Sequence, residues 1–298
     1  MLESVIGGTT DSGTQRFNLT SECPQIVPGH HGRSAEALGG QISSIFIWIR
    51  TCRHCQFARS LEMMAGVANF STSMTVFAFW QALALDTLYD QTGHDLSNVF
   101  LQERILKMVS AGVFACIHIG LVCTSWTRLA NPPYRSSDEI NGLRSLCKDK
   151  ADWVKGQNAL HSFSMKVIHA AKTSSVTIKC RRHKVLCSLE NGDTTMLWEH
   201  PSTKKECTEE EGVFHRTAMC AWGVPWRKTT KIWATRKIDN IEKSCRCKVN
   251  HPESIKGSIR IKVRGKGKVW MARSQVSAAY PTRLCNQWAA SVNKMFQG

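Results

Sequence analysis

The sequence predicts an α/β domain with a mostly parallel central sheet flanked by helices. Three observations predict it. Short apolar segments alternate with stretches of helical spacing from residue 57 onward, the order that builds parallel sheets. One segment, VFACIHIGLV at 113–122, is an unbroken apolar run, as expected of a central strand buried on both faces. Two others, at 81–86 and 184–191, close on an acid or an amide, the residue types that meet ligands at the carboxyl ends of strands.

The elements follow in order. Residues 1–40 are rich in Gly, Ser and Thr without sustained periodicity and read as a flexible leader to a folded domain at 41–298. SSIFIWIR, 43–50, is apolar but has no period that separates strand from helix. FARSLEMM, 57–64, reads as a buried strand, and 69–80 as a helix after a small-residue turn. QALALD, 81–86, is a second strand. In NVFLQERILKMVSAG, 98–112, Val99, Leu101, Ile105, Leu106, Met108 and Val109 recur at helical spacing. After the strand at 113–122 comes a polar loop containing NPPYRSS, then a long helical stretch at 142–172. KVLCSLEN (184–191), HRTAMCAWG (215–223) and TKIWATR (230–236) read as further strands. IKGSIRIKVRGKGKVW alternates like a strand pair with a Gly turn, inside a small basic insert at 236–274. Residues 275–296 close with a helix.

Charge narrows the function classes. The chain of 298 residues carries 39 Lys/Arg against 23 Asp/Glu, a formal net of +16. The excess is concentrated: 227–273 holds 15 Lys/Arg against Asp239, Glu242 and Glu253, a net of +12. A basic block of this kind points to a polyanionic partner, most often nucleic acid, DNA or RNA. The opening MLESVIGGTTDSG lacks a signal-peptide layout. The longest apolar run, 111–123, falls short of the ~20 residues of a membrane span. Thirteen cysteines without a framework rhythm then read as reduced thiols of a nuclear or cytoplasmic protein, neither secreted nor membrane-bound. Two groupings have the residue types of a metal site: CRHC at 52–55, and Cys245, Cys247 and His251 with Cys220 as a fourth ligand. The expectation for both is scattered thiols with no metal.

The candidate site residues lie at the strand ends. Glu62 and Gly66 occupy LEMMAG, where an acid and a small-residue turn let backbone approach a ligand. Asp86 follows at the distance of an acid that accepts from ribose hydroxyls, and Asp95 follows in GHDL. Cys123 ends the apolar run and precedes TSWTRLANPPYRSS. It is a nucleophile if basic neighbours and a strand-end position lower its pKa. Glu190, in LEN, emerges at the next strand end, where a carboxyl can bond a ring nitrogen that gains electron density. Arg227 and Lys228, in AWGVPWRKTTKIW, could hold a base carbonyl or a phosphate.

In this order the motifs resemble the cytosine-5 DNA methyltransferases, in a divergent protist-type form. LEMMAG, LALD, HDL, VCTSWTRLANPPYRSSDEINGL, LENGDTTMLWEHP and WGVPWRKTTKIW follow one another as the family's motifs do, and SQVSAAYPTRLCNQWA resembles its closing segment. The resemblance spans roughly 57–292. It implies a Rossmann-like methyltransferase fold that binds S-adenosylmethionine, with Glu62 and Gly66 lining the cofactor loop, Asp86 at the ribose and Asp95 at the adenine amino group. It implies Cys123 as the nucleophile at C6 of a flipped-out cytosine, Glu190 at the Watson–Crick edge and Arg227 as the base-orienting cation. Val122 stands where the family has proline before the nucleophile, and Gly192 follows the Glu–Asn pair. These departures leave a second expectation: a catalytically inactive protein of the same fold that binds nucleic acid or serves as a structural subunit.

Overall fold

The computed structural model describes residues 58–178, 181–247, 251, 258–263, 267–272 and 277–297. The leader, the apolar stretch 43–50 and the CxxC at 52–55 lie outside the described residues.

The core is a six-stranded sheet in the order β2-β1-β3-β6-β8-β7. The strands are β1 (Arg59–Met63), β2 (Gln81–Leu85), β3 (Cys116–Gly120), β6 (Leu186–Gly192), β7 (Val213–Ala218) and β8 (Thr229–Ala234). β2, β1, β3 and β6 are mutually parallel, while β8 runs antiparallel to both β6 and β7. The α/β class and the mostly parallel sheet are therefore as the sequence predicts. From β1 the chain goes to β2 on one side and next to β3 on the other. This change of direction opens a crevice between the carboxyl ends of β1 and β3, the place where α/β sheets bind ligands.

Helices cover both faces. On one, Leu61, Met63, Ile117, Ile119 and Leu189 pack with α2 (Val99–Ser110) and α3 (Lys148–Thr173) through Ile105, Val109, Phe163 and Ile168. On the other, Cys116, Leu186 and Ile232 pack with α1 (Asn69–Ala78) and α5 (Thr282–Gln297) through Phe70, Met74, Leu284 and Trp288. The first and last described helices thus lie against each other. Among the described residues no helix is long and apolar enough to cross a membrane.

Several boundaries differ from the sequence reading, each for a local reason. β3 keeps only five residues of the apolar run: Ala115, just before it, still donates to the Arg59 carbonyl and accepts the Leu186 N–H, Phe114 is buried ahead of the strand, and Val122 turns outward. The helix expected from 142 starts at 148, because 135–147 are used in turns that close the preceding loop, with Leu143 N–H bonded to the Tyr134 carbonyl. An unforeseen antiparallel hairpin, β4 (Ser175–Ile178) with β5 (Arg181–Lys184), precedes β6; its second strand, RRHK, carries no apolar alternation. The strand expected at 215–223 ends at Ala218 and tightens into a 3₁₀ turn over Met219–Trp222. A short helix, α4 (Pro201–Glu206), starts on its proline. The closing helix starts at 282, after Pro281, instead of 275. The alternating basic segment does form a strand pair, β9 (Ser258–Val263) antiparallel to β10 (Gly267–Ala272).

One glycine is required by its surroundings. Gly112 ends α2 at φ +67°, and a Cβ there would stand 2.1 Å from the Ser175 carbonyl oxygen.

Candidate active site

The parallel strands bring the predicted residues to one edge. β1 delivers Glu62 and the loop to Gly66, β2 delivers Asp86, β3 leads to Cys123 and β6 carries Glu190. β8 enters the sheet from this same edge because it is reversed: Thr230 pairs with Gly192. The residues just before it, Arg227 and Lys228, therefore arrive beside Glu190.

The loop after β1 is held in an unfavourable conformation. Met64, Gly66 and Ala68 have φ of 54°, 55° and 51°. Only glycine adopts this region without penalty, so Met64 and Ala68 store strain of a kind that concentrates at ligand sites. Two acids fix the loop. Asp86 accepts the Gly66 N–H through Oδ2 and the Leu88 N–H through Oδ1, both at 2.9 Å. Glu62 is buried, and its Oε2 accepts the Ser71 N–H at 2.8 Å. Ala68, the N-cap of α1, offers no side-chain cap, so Glu62 supplies from the sheet the acceptor that a Ser or Asp cap would supply locally. Burial pushes the Glu62 carboxyl up to about 7, with the Ser71 contacts pulling the other way, and its Oε1 has no hydrogen-bond partner among the described residues. Glu62 thus sits beneath the loop instead of on its open face. A Cβ at Gly66 would meet nothing within 4 Å, so the loop backbone is open to a ligand. Asp95 lies in the next connection and accepts the Ser97 N–H at 2.9 Å, a local turn of its own.

At the other half of the edge, Cys123 starts a helical turn, its carbonyl accepting from the Trp126 and Thr127 N–H groups at 3.0 Å. Asn191, fully buried beside Glu190, donates from its side chain to the Leu121 carbonyl at 2.7 Å and ties the Cys123 loop to β6. Arg135 holds the loop from outside the sheet. It donates to the Ser125 carbonyl and hydroxyl at 3.0 Å and lies 3.6 Å over the Trp126 ring. Burial raises the Cys123 thiol above its ordinary value. Lys228 draws it back down and Glu190 raises it further, which places all three in one electrostatic unit. The sequence expected a lowered thiol; the strand end is more enclosed than that expectation allowed.

Glu190 is nearly buried and is met by two groups that the sequence did not place beside it. Tyr280 donates its hydroxyl to Oε2 at 2.8 Å, and the Lys228 ammonium stands 4.0 Å from Oε1. Oε1 accepts no hydrogen bond among the described residues. Arg227, the cation expected here, is exposed, and its neighbour Lys228 faces the acid. Behind Tyr280, His118 Nε2 lies 3.1 Å from the phenol oxygen and Nδ1 lies 3.0 Å from the Ser188 hydroxyl. Burial lowers His118 to about 3, so the ring is neutral. The tyrosine proton points to Glu190, so Nε2 carries the imidazole hydrogen and Nδ1 is left as an acceptor facing the Ser188 hydroxyl, which also lies 3.4 Å from the Ile117 carbonyl oxygen. Burial and then the charge of Glu190 hold Tyr280 well above the ordinary phenol range, so it remains a donor. Glu62, His118 and Ser188 are aligned neighbours on β1, β3 and β6, a polar row across the sheet beneath α1 and α5. The signals for this row were a lone His within the apolar CIHIG and a Tyr–Pro pair before the last helix. Neither carries meaning until the register is known.

The arrangement has two halves along one edge. A strained open loop and a carboxylate line one side, and a thiol, an acid with a free oxygen and an ammonium line the other. No family model matches the chain, and no curated protein sequence matches it.

Proposed function

We propose that this protein transfers a methyl group from S-adenosylmethionine to C5 of cytosine in DNA, through a covalent adduct on Cys123. The observation that carries the reading is the meeting of Cys123, Glu190 and Lys228 beside the crevice between β1 and β3. The six-stranded sheet with its helical layers supports a Rossmann-like fold.

The residues present fit the cofactor. The Gly66 turn leaves its backbone open, Asp86 keeps lone pairs for vicinal hydroxyls, and Leu88 and Tyr89 are exposed apolar groups just beyond it. When bound, S-adenosylmethionine supplies an electrophilic methyl group. The chain's own groups do the rest. Lys228 favours the thiolate of Cys123, which bonds to C6 as the C5–C6 π pair shifts to C4–C5 and the C4–N3 pair moves onto N3. N3, where that charge accumulates, takes up a proton from solvent, and Glu190 Oε1, the oxygen Tyr280 leaves free, accepts the resulting N3–H. After methylation C5 gives up its hydrogen and N3 its added proton to solvent, the S–C6 bond breaks, the C5–C6 double bond re-forms and the thiolate is restored. Reaching C6 requires a base outside its stack. The basic residues of 227–273 supply phosphate contacts for holding such a strand.

The test is trapping on DNA containing 5-fluorocytosine, which cannot lose its C5 substituent. A cofactor-dependent covalent complex is expected, absent in Cys123→Ser. Titration calorimetry with S-adenosylmethionine that shows no binding would end the enzymatic reading.

One observation favours a second reading, a non-catalytic protein that binds nucleic acid with the same fold: burial holds the Cys123 thiol up in the unliganded chain. That reading predicts DNA binding without cofactor binding and without adduct.

A further inference from the structure

Away from this site, four side chains converge as a coordination sphere does. One ligand atom from each of Cys220, Cys245, Cys247 and His251 lies within 4.8 Å of each of the others. The Cys245 sulfur and His251 Nε2 are 3.1 Å apart. Sulfurs at about 2.3 Å and a nitrogen at about 2.0 Å from a tetrahedral zinc stand about 3.5–3.8 Å from one another. The cluster therefore needs only small side-chain adjustments to close on an ion. The sequence reading expected scattered thiols; these four are gathered.

The backbone brings the two segments together independently of the thiols. Cys220 sits in the 3₁₀ turn after β7. The segment before Cys245 is laid along the free edge of β7: Lys243 bridges to Thr217 in parallel, and its carbonyl accepts the Ala218 N–H at 2.7 Å. The Lys243 ammonium lies 3.7 Å over the Trp222 ring, and Glu242 Oε1 is 2.6 Å from His215 Nδ1. From Glu242 to Cys247 no side chain is buried, so no core of its own holds this stretch. A polar segment of this kind is fixed by cross-linking instead.

We propose that Cys220, Cys245, Cys247 and His251 bind one Zn²⁺ in a closed, structural Cys₃His centre. Three thiolates and an imidazole suit zinc and disfavour calcium or magnesium. Four protein ligands leave no position for a reacting water. Binding displaces the thiol protons to solvent and leaves the centre at about −1 when all three sulfurs are ionised. The centre joins two functional parts of the chain. Next to Cys220, the Met219 N–H donates to the Lys228 carbonyl at 2.9 Å, so the turn that holds a ligand also holds the cation facing Glu190. On the other side, His251 immediately precedes the segment leading to the basic hairpin.

The full chain, purified under reducing conditions from zinc-supplemented medium, is expected to contain one equivalent of zinc by mass spectrometry of the metal. Replacing zinc with Co²⁺ should give the intense near-ultraviolet sulfur-to-cobalt absorption and visible bands of a tetrahedral thiolate site. Cys220→Ser and Cys247→Ser should each lower zinc affinity at least tenfold, while Cys147→Ser, an exposed thiol elsewhere, keeps full occupancy. The cobalt spectrum is read on the unaltered chain, so misfolding of a variant does not block the test. Zinc below a tenth of an equivalent with no cobalt–thiolate absorption overturns the proposal. So does full occupancy that survives both Cys220→Ser and Cys247→Ser.

Discussion

Glu62 and Tyr280 show how single side chains set the state of the edge. The native chain binds the Glu62 proton more tightly than the unfolded chain, because burial raises the carboxyl from 4.5 to about 7. Its contribution to stability is complete below pH 4.5 and is lost as the pH rises through about 7. Urea denaturation between these limits should show a decline of up to about 3 kcal/mol that Glu62→Gln removes. Equal slopes in the two proteins would show that Glu62 is not the titrating group. Tyr280→Phe leaves Glu190 Oε2 and His118 Nε2 without their partner. It should lower stability by about 1–3 kcal/mol and slow adduct formation on fluorinated DNA. A stability loss with unchanged adduct kinetics would limit Tyr280 to packing. At this scale the sequence was informative where a residue type is rare in its setting. Glu62, Asp86, Cys123 and Glu190 stood out as polar groups closing apolar runs. Lys228 was indistinguishable from Arg227, since which of two adjacent cations turns inward depends on the pleat of β8.

At the scale of elements, the sequence marked strands by their apolar runs and lost those built on polar residues. RRHK in β5 is a strand because β4 pairs with it, not because of its own pattern. The same hairpin explains the demand on Gly112. The turn from α2 into β3 passes against the Ser175 carbonyl, leaving no volume for a side chain. Gly112→Ala adds a left-handed alanine to that collision and should destabilise the fold by about 2–4 kcal/mol in thermal or denaturant unfolding. A loss below about 1 kcal/mol would mean that the hairpin moves aside readily. The 3₁₀ turn after β7 was read as more strand for a related reason: MCAW is apolar in any local geometry.

For the whole molecule, composition indicated a basic face, and motif order indicated an α/β sheet. Strand order was not legible. It emerges from the burial of β3 between β1 and β6, which sets the crevice between β1 and β3, and from the reversal of β8, which returns Lys228 to that edge. The overall charge of +16 leads to a measurable expectation. DNA affinity should fall steeply with salt, and the combined substitutions Arg260→Gln, Lys262→Gln and Lys268→Gln should flatten the slope of log K against log salt by about 2–3 if those residues meet phosphates. An unchanged slope would place the DNA elsewhere on the surface.

The hydrogen bond from Tyr280 to Glu190 joins residues 90 positions apart, and its contact with His118 joins residues 162 apart. On the ribosome, at about 5–20 residues per second, the thiol and its acid emerge several seconds before the phenol that completes them. Throughout that interval α1 also lacks α5, the helix that later covers it. A partly synthesised chain therefore presents Cys123 and Glu190 before the phenol that orders the carboxylate has been made. A chain cut short after β8 would hold Cys123, Glu190 and Lys228 but lack Tyr280, whose hydroxyl fixes the Glu190 carboxylate.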